Sequence, residues 1–501
     1  MLAHPRSLAL VLSVGVLTGC AVGPAYRPPE IALSSTFLGQ EGVDHRQVQH
    51  TADLQVWWAA FDDRLLMQFV SLALEQNLDL AQAAARVAQS RASLRYADAA
   101  LLPAASVSAS AARAYQSVET PLGQVLDATP GFDRSGSAYE ANLGASWEID
   151  VFGGLRRGRE AARAEYEASE AGAVATRLTV AAQTADVYVT IRGLQARIAI
   201  ARQQVETRRQ LLALVKLQYE KGIAAELQMN QAEGSLTQAE AQIPVLEAGL
   251  DSAMNALDVL LGVQPGTWRT ELAAVAPVPL APGLAGTGTP AEMIRRRPDL
   301  IVAERRLAAA NARIGVAISE YYPKFSLAAL LGSATAIASG NLFTGAASQT
   351  QGVLGLRWRL FDFGRVDAQI AAARGAEAEA LATWRLAVLR ATEDVENAFS
   401  ALVKREAQVG ILTRGESSLA RARENSFAAY QGGVVSLIEV LDADSNLLQA
   451  RDAKAQAQTE VARAAIASFR ALGGGWDAPH AGSDRLYSDL STNDLSINDR
   501  R

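Results

Sequence analysis

The side chains in this sequence that could do chemistry are few. Glu439 and Asp442 stand three apart in Leu437-Ile438-Glu439-Val440-Leu441-Asp442-Ala443-Asp444, so a helix there puts both carboxylates on one face. Repeated around an axis in a multi-chain assembly, such a pair makes carboxylate rings that attract cations and repel anions. Acid–base or nucleophilic catalysis needs further convergent groups, and the sequence has no glycine-rich phosphate loop, no nucleophile elbow and no HExxH. Cation attraction remains, or acids at a helix start that favour its dipole. His45 and His50 fall in an expected loop without cysteines or acids at ligand spacing, so no metal site is expected. Arg156, Arg157 and Arg159 could meet lipid phosphates or form a solvated helix face.

Cys20 is the single cysteine, which excludes a disulfide within one chain. His4 and Arg6 precede an apolar run from Leu8 to Leu17 that is too short to span a bilayer and reads as a signal-peptide core. The run ends in Leu17-Thr18-Gly19-Cys20, which resembles a bacterial lipobox. That resemblance implies removal of residues 1–19 and a covalent lipid, palmitate included, on Cys20; the alternative is a stray thiol in a signal region. Residue 21 is Ala, not the Asp that resembles an inner-membrane retention signal, which favours the outer membrane.

Hydrophobic residues are 49% and charged residues 20%, as in folded proteins. The net charge of −6 leaves no basic footprint for nucleic acid. No later apolar run reaches the ~18 residues of a transmembrane helix.

The elements that must position these residues come in two copies. Asn77-Leu78-Asp79-Leu80 matches Arg297-Pro298-Asp299-Leu300, and Pro103 matches Pro323, at an offset of 220. Further on the offset is 211: Trp147 with Trp358, Phe152-Gly153 with Phe363-Gly364, Tyr219 with Tyr430, Gly222 with Gly433, Leu261-Gly262 with Leu472-Gly473. Copy one is 77–262 and copy two 297–473, joined by a Pro- and Gly-rich linker, 263–296. Each copy reads helix, two strands, long helix, glycine turn, helix. The expected helices are 78–102, 154–219 and 226–261 with a kink at Pro244, then 299–322, 365–430 and 437–472. A 65-residue helix reaches ~100 Å at ~1.5 Å per residue, so it must pack lengthwise in a coiled coil.

Tyr139 to Asp150 alternates apolar and polar residues, as does Gly352 to Leu360, while strands from Ala105 and Phe325 alternate more weakly. The alternative is a soluble hairpin packed on its own helices. Four strands of about ten residues suit a membrane but cannot close a barrel there, which takes at least ~8. Eight strands leave an interior filled with side chains, so three copies and twelve strands are the smallest assembly with an open lumen.

At this point the sequence resembles the outer-membrane factor (TolC-like) family, in its lipoprotein branch of tripartite RND-type efflux systems. The resemblance rests on Cys20-Ala21-Val22-Gly23-Pro24-Ala25-Tyr26-Arg27-Pro28, Trp57-Trp58 with Phe61-Asp62-Asp63, Arg296-Arg297-Pro298-Asp299-Leu300 with Ala303-Glu304-Arg305-Arg306, Tyr322-Pro323, and Leu360-Phe361-Asp362-Phe363-Gly364. It implies a mixed α and β fold, mostly α: a homotrimeric 12-stranded transmembrane β-barrel, four strands per protomer, continued by a coiled-coil periplasmic tunnel. A belt around the tunnel would come from the anchor segment 20–76, the linker, and the start of 474–501, whose end from Ser483 reads as a disordered tail.

The implied function is passive export of drugs or other toxic compounds across periplasm and outer membrane, without enzyme activity or a cofactor beyond the lipid. The implied partners are a periplasmic adaptor, docking at the hairpin tips around Gly222 and Gly433, and an inner-membrane pump. Type I protein secretion and a lipid-tethered coiled-coil scaffold are the alternatives. The family's aperture carries acidic rings, here Glu439 and Asp442, beside an apolar constriction matched by Ile438. Its lock joins a tyrosine and an arginine to an aspartate. Tyr430 matches the tyrosine, but Val435 and Gln228 stand at the other two positions, so a Tyr430–Gln228 hydrogen bond is the closure expected.

Overall fold

The computed structural model describes residues 21–46, 51–284 and 288–477. Cys20, His50 and the Ser483–Arg501 tail lie outside them. The chain forms two compact units, one from residues up to Pro29, Ala88–Ala168 and Glu304–Thr383, the other from Glu30–Val87, Ser169–Ala303 and Trp384 onward.

The helices are α1 (Arg64–Gln76), α2 (Leu78–Ala99), α3 (Gly154–Glu220), α4 (Glu226–Glu240), α5 (Gln242–Leu260), α6 (Pro298–Ser319), α7 (Arg365–Gln431) and α8 (Leu437–Ala471), beside shorter turns. Both long helices, α3 and α7, have 67 residues. Carboxylates start them: Asp150 accepts from the Leu155 and Arg156 amides, and Asp362 from Gly364 and Val366. Glycines end them, with Gly222 at φ +71° and Gly433 at φ +72°. In each turn the glycine N–H returns to a tyrosine carbonyl at 2.9 Å, and the next N–H reaches one residue further back. This is a Schellman closure, which a side chain at the glycine would strain. The expected kink before Pro244 is a break between α4 and α5 at Ala241. Pro244 lacks the N–H that would reach the Glu240 carbonyl, and its ring crowds that oxygen.

In the first unit four strands form one antiparallel sheet in sequence order, β1 (Ala104–Tyr115), β2 (Ser135–Ile149), β3 (Lys324–Thr335) and β4 (Ser348–Arg357). In β1–β2 Ala104 faces Ser146; in β3–β4 Lys324 faces Arg357, residues 220 and 211 further along the chain. The Trp147 indole donates to the Leu101 carbonyl at 2.9 Å and the Trp358 indole to the Tyr321 carbonyl at 2.9 Å, again 211 and 220 apart. One expectation needs correction: the last strand was to run to Leu360 and stops at Arg357. Its sole neighbour in the chain, β3, begins at Lys324 opposite Arg357, so Trp358–Leu360 has nothing to pair with.

The second unit is mostly helical, with one short parallel pair of strands, Thr51–Ala52 with Gly283–Leu284. Trp57, in a 3-10 segment Leu54–Phe61, is 1% exposed and stacks on Phe469 of α8 with ring centroids 5.3 Å apart. Asp63 caps α1 and accepts the Tyr188 hydroxyl at 2.8 Å; Arg192 donates to that tyrosine, to Gln195 and to the Ala274 carbonyl. Gly262 turns at φ +71° with a Cβ position 2.6 Å from the Gln76 carbonyl, and Gly473 turns at φ +72° beside Arg296. These contacts hold the segments flanking the helices onto α3 and α8.

Trp57→Ala empties this stacked site and is expected to cost about 3–5 kcal/mol. The check is the thermal midpoint of detergent-purified protein followed by near-ultraviolet dichroism.

Candidate functional site

Two regions carry the chemistry, one in each unit. In the first, strand register sorts the sheet into two faces. One face stacks the rows Ile149–Phe325–Leu356, Trp147–Leu327–Leu354 and Val107–Leu143–Leu331. The other carries Ser106, Ser108, Asn142, Glu140, Glu148, Gln349 and Gln351. The apolar face is uncovered: Val107 is 78% exposed, Leu331 55% and Leu354 73%. A water-soluble sheet buries that face. Aromatic residues gather past one end of the strands, where Trp358, Phe361 and Phe363 are exposed. Both edge strands, β1 and β4, have one unpaired side.

Of the three arginines after β2, Arg159 is exposed, Arg156 half-buried and Arg157 buried. Arg157 is buried, donates to the carbonyls of Val22 and Gly23 and pairs with Glu160 at 2.8 Å. Arg156 pairs with Asp150 and Arg159 with Asp98. Arg157 thereby clamps the N-terminal strap: the Val22 amide donates to the Phe152 carbonyl at 3.1 Å, and Gly23 lies where a Cβ would come within 2.5 Å of Gly315. Tyr26 completes the strap by donating to Glu304 at 2.6 Å above Ala164, Ala308 and Ala309.

In the second unit the two helix turns pack together through Leu211, Leu212, Val215, Ala232, Leu437 and Val440. Glu439 and Asp442 are both exposed, as is Ile438 at 50%. Glu439 sits in the first turn of α8, where its carboxylate accepts the Ser436 amide at 3.4 Å. Gln228 does the same in α4, accepting the Ala225 amide at 3.0 Å. Within one chain no Tyr430–Gln228 hydrogen bond forms. The Gln228 side-chain oxygen serves its own helix start, and the Tyr430 hydroxyl donates to Gln218 at 2.7 Å. Burial pushes the Tyr430 phenol up. His45 lies 3.8 Å from Glu41, and no cluster of metal-ligating side chains occurs among the described residues.

The sequence reading passed over Asp444. It is 3% exposed, accepts from Gln204, and faces Arg208 at 3.4 Å and Arg423 at 3.7 Å. Arg208 also donates to the Ser235 carbonyl of α4 at 2.7 Å. One carboxylate thus ties α8 to α3 and α7, and through Arg208 to α4. The signal was present: Leu437, Val440, Leu447 and Leu448 form the buried stripe of α8, and Asp444 falls on it.

The model of the family described as outer membrane efflux protein matches residues 69–263 and again 289–474. The chain belongs to that family. It is 30% identical to Nodulation protein T of Rhizobium leguminosarum bv. viciae, over 99% of this chain and 98% of that protein. It is 32% identical to the pyoverdine export outer membrane protein OpmQ of Pseudomonas putida, over 95% of this chain and 98% of that one. Among solved structures, the outer-membrane channel OprN superposes with a TM-score of 0.82 at 31% identity, covering 91% of this chain and 100% of that one. Family members are outer-membrane efflux channels, not enzymes, in keeping with the absence of a convergent catalytic set in the sequence.

Asp444→Ala leaves Arg208 buried without its counter-charge and is expected to cost about 3–5 kcal/mol, whereas the double change Asp444→Leu with Arg208→Met recovers much of it. Chemical denaturation of the two variants beside the wild type checks this. A second outcome concerns acid. The hydrogen bond from Lys454 at 2.8 Å, with Arg451 at 3.2 Å, holds Glu416 below its ordinary value of 4.5. A depressed carboxylate stabilises fully above its unfolded value and loses that contribution as pH falls through the lower folded value. Stability of Glu416→Gln should therefore fall less steeply than wild type below about pH 4.5, measured by thermal midpoints across the acid range.

Proposed function

We propose that the chain is the outer-membrane channel of a tripartite efflux system, a homotrimer in which each protomer gives four strands to a 12-stranded barrel continued by a helical tunnel. The observation that carries this is the sheet of the first unit, apolar and uncovered on one face, polar on the other, and unpaired at both edges. From the row of Ile149 to that of Tyr139 the apolar face spans ten residue steps, ~34 Å along the strand. At a tilt of ~40° this projects to ~25 Å, the height of the apolar band of membrane barrels. Open edges do not persist in lipid, so the sheet must close on further copies. The protomer is an internal repeat, a reading supported by two separate matches of one family model and by contacts recurring at 211 and 220 residues.

The anchor is a lipid on Cys20. The strap held by Arg157 fixes Ala21 and Val22 beside Phe152 at the strand ends, which suits a lipid entering the adjoining leaflet. The turns at Gly222 and Gly433 are the periplasmic tips. Around them Ile223, Leu227 and Val434 are exposed and offer an apolar surface to an adaptor, which joins the channel to an RND-type pump. Glu439 and Asp442 form acidic rings at the aperture, with Ile438 as the apolar constriction. The related OpmQ is named for pyoverdine export, and another relative for cation efflux. The present chain passes small molecules delivered by its pump.

Purified protein in a planar bilayer should conduct with preference for cations. Glu439→Gln combined with Asp442→Asn should lower that preference severalfold and weaken block by divalent cations. Conductance with unchanged selectivity would remove these residues from the aperture, and no conductance at all would remove the channel reading.

A further inference from the structure

Two arginines stand at one end of the sheet where neither the strand pairing nor an ion pair accounts for them. Alternation along β1 puts Arg113 and Tyr115 on the apolar face, in line with Val107. Both are exposed, Tyr115 at 69%. Arg134 comes from the loop ahead of β2 and lies over the Tyr115 ring, 4.4 Å from its centroid. Its Nε donates to the Gln116 carbonyl at 3.1 Å. Neither arginine forms an ion pair among the described residues. Of the acids at this end, Glu119 and Asp127 lie in the loop, Asp133 accepts the Ser135 amide at 2.9 Å, and Glu140 is on the polar face.

The second copy shows that folding does not require these cations. The Arg113–Ser137 pair becomes Ser333–Ser348, 220 and 211 residues further along, and Tyr115 becomes Thr335. From Phe325 to Leu356 no residue is charged. The same hairpin is thus built without an arginine.

Their depth points to a use. The inference rests on the channel reading, in which the helices leave the Ile149 end of the sheet for the periplasm and the Arg113 end faces outward. The Arg113 row lies twelve residue steps from the Ile149 row, ~41 Å along the strand and ~31 Å across the membrane at ~40° tilt. The apolar band of a membrane barrel is ~25 Å tall, so Arg113 stands ~6 Å beyond it. At that level the lipid-facing surface meets headgroups rather than acyl chains, and a guanidinium costs little.

We propose that Arg113 and Arg134 bind a phosphate of the phosphorylated glycolipid of the outer leaflet, lipid A. Guanidinium groups take phosphate oxygens through paired, charge-assisted hydrogen bonds. The stack on Tyr115 and the bond to Gln116 fix Arg134 and leave its two terminal nitrogens unclaimed, so little side-chain freedom is lost on binding. Arg113 is two residues from Tyr115, ~7 Å along the strand, which lets the two cations flank one phosphate. A phosphate monoester, with a charge of about −1.5 to −2 near neutral pH, suits two cations better than the singly charged diester of a phospholipid.

The test uses the full chain in detergent, freed of lipid and titrated, with bound lipid counted by native mass spectrometry. Bisphosphorylated lipid A should bind the wild type and bind Arg113→Gln with Arg134→Gln severalfold more weakly, at unchanged oligomer mass. Lipid A stripped of its phosphates, and phosphatidylglycerol, should bind both proteins alike. Equal binding of bisphosphorylated lipid A to the two proteins would overturn the site. So would an equal loss of phosphatidylglycerol, which marks a general effect of charge, or full competition by inorganic phosphate, which marks a site for the free ion. A wild-type chain that is monomeric in detergent and silent in a planar bilayer would instead overturn the channel reading beneath it.

Discussion

Everything in this molecule turns on a sheet that cannot be satisfied by its own chain. Its apolar face has no cover, and β1 and β4 each present a row of unpaired amides and carbonyls. In water, such a face drives aggregation. In lipid the face is at home, but the edges then cost several kcal/mol per unpaired group, so closure on neighbours is compulsory. The proposed trimer and its barrel answer that one constraint.

The helical unit answers a different demand. Helices of 67 residues gain little from propensity alone and depend on packing along their length. Here that packing is thin, with many alanines, and buried or half-buried ion pairs punctuate it: Arg463 with Asp186, Arg197 with Asp452, and the Asp444 node near the turns. Buried pairs are weak sources of net stability, yet losing one partner is costly. Their value here is registry. Alanine stripes allow helices to slide by a turn, whereas a carboxylate held by Arg208, Arg423 and Gln204 does not.

Much of this was legible in the sequence because the punctuation is strong. Gly222, Gly433, Pro103 and Pro323 fix where elements end, and the two offsets fix their order. What the sequence concealed has physical causes. The end of β4 depends on a strand absent from the chain, so local alternation through Leu360 could not decide it. Arg157 looked like one of three surface charges, and its burial comes from the Val22–Gly23 strap, more than a hundred residues away. Within the chain the Tyr430 hydroxyl goes to Gln218, while the side-chain carbonyl of Gln228 takes the amide of Ala225.

That local demand helps weigh the acidic pair with which the sequence began. Glu439 caps α8 as Gln228, 211 residues earlier, caps α4. An amide oxygen is therefore enough for the capping, and the charge on Glu439 is surplus to it. Asp442 has no part in the cap, and its counterpart in copy one is Gln231, again an uncharged side chain. Two positions that are amides in the first hairpin are carboxylates in the second. Helix dipole alone does not account for this, since both helices start with the same polarity. The charge is confined to one hairpin per protomer, which in a trimer makes rings of three rather than six. In the proposed trimer a ring of that kind would attract cations at the aperture.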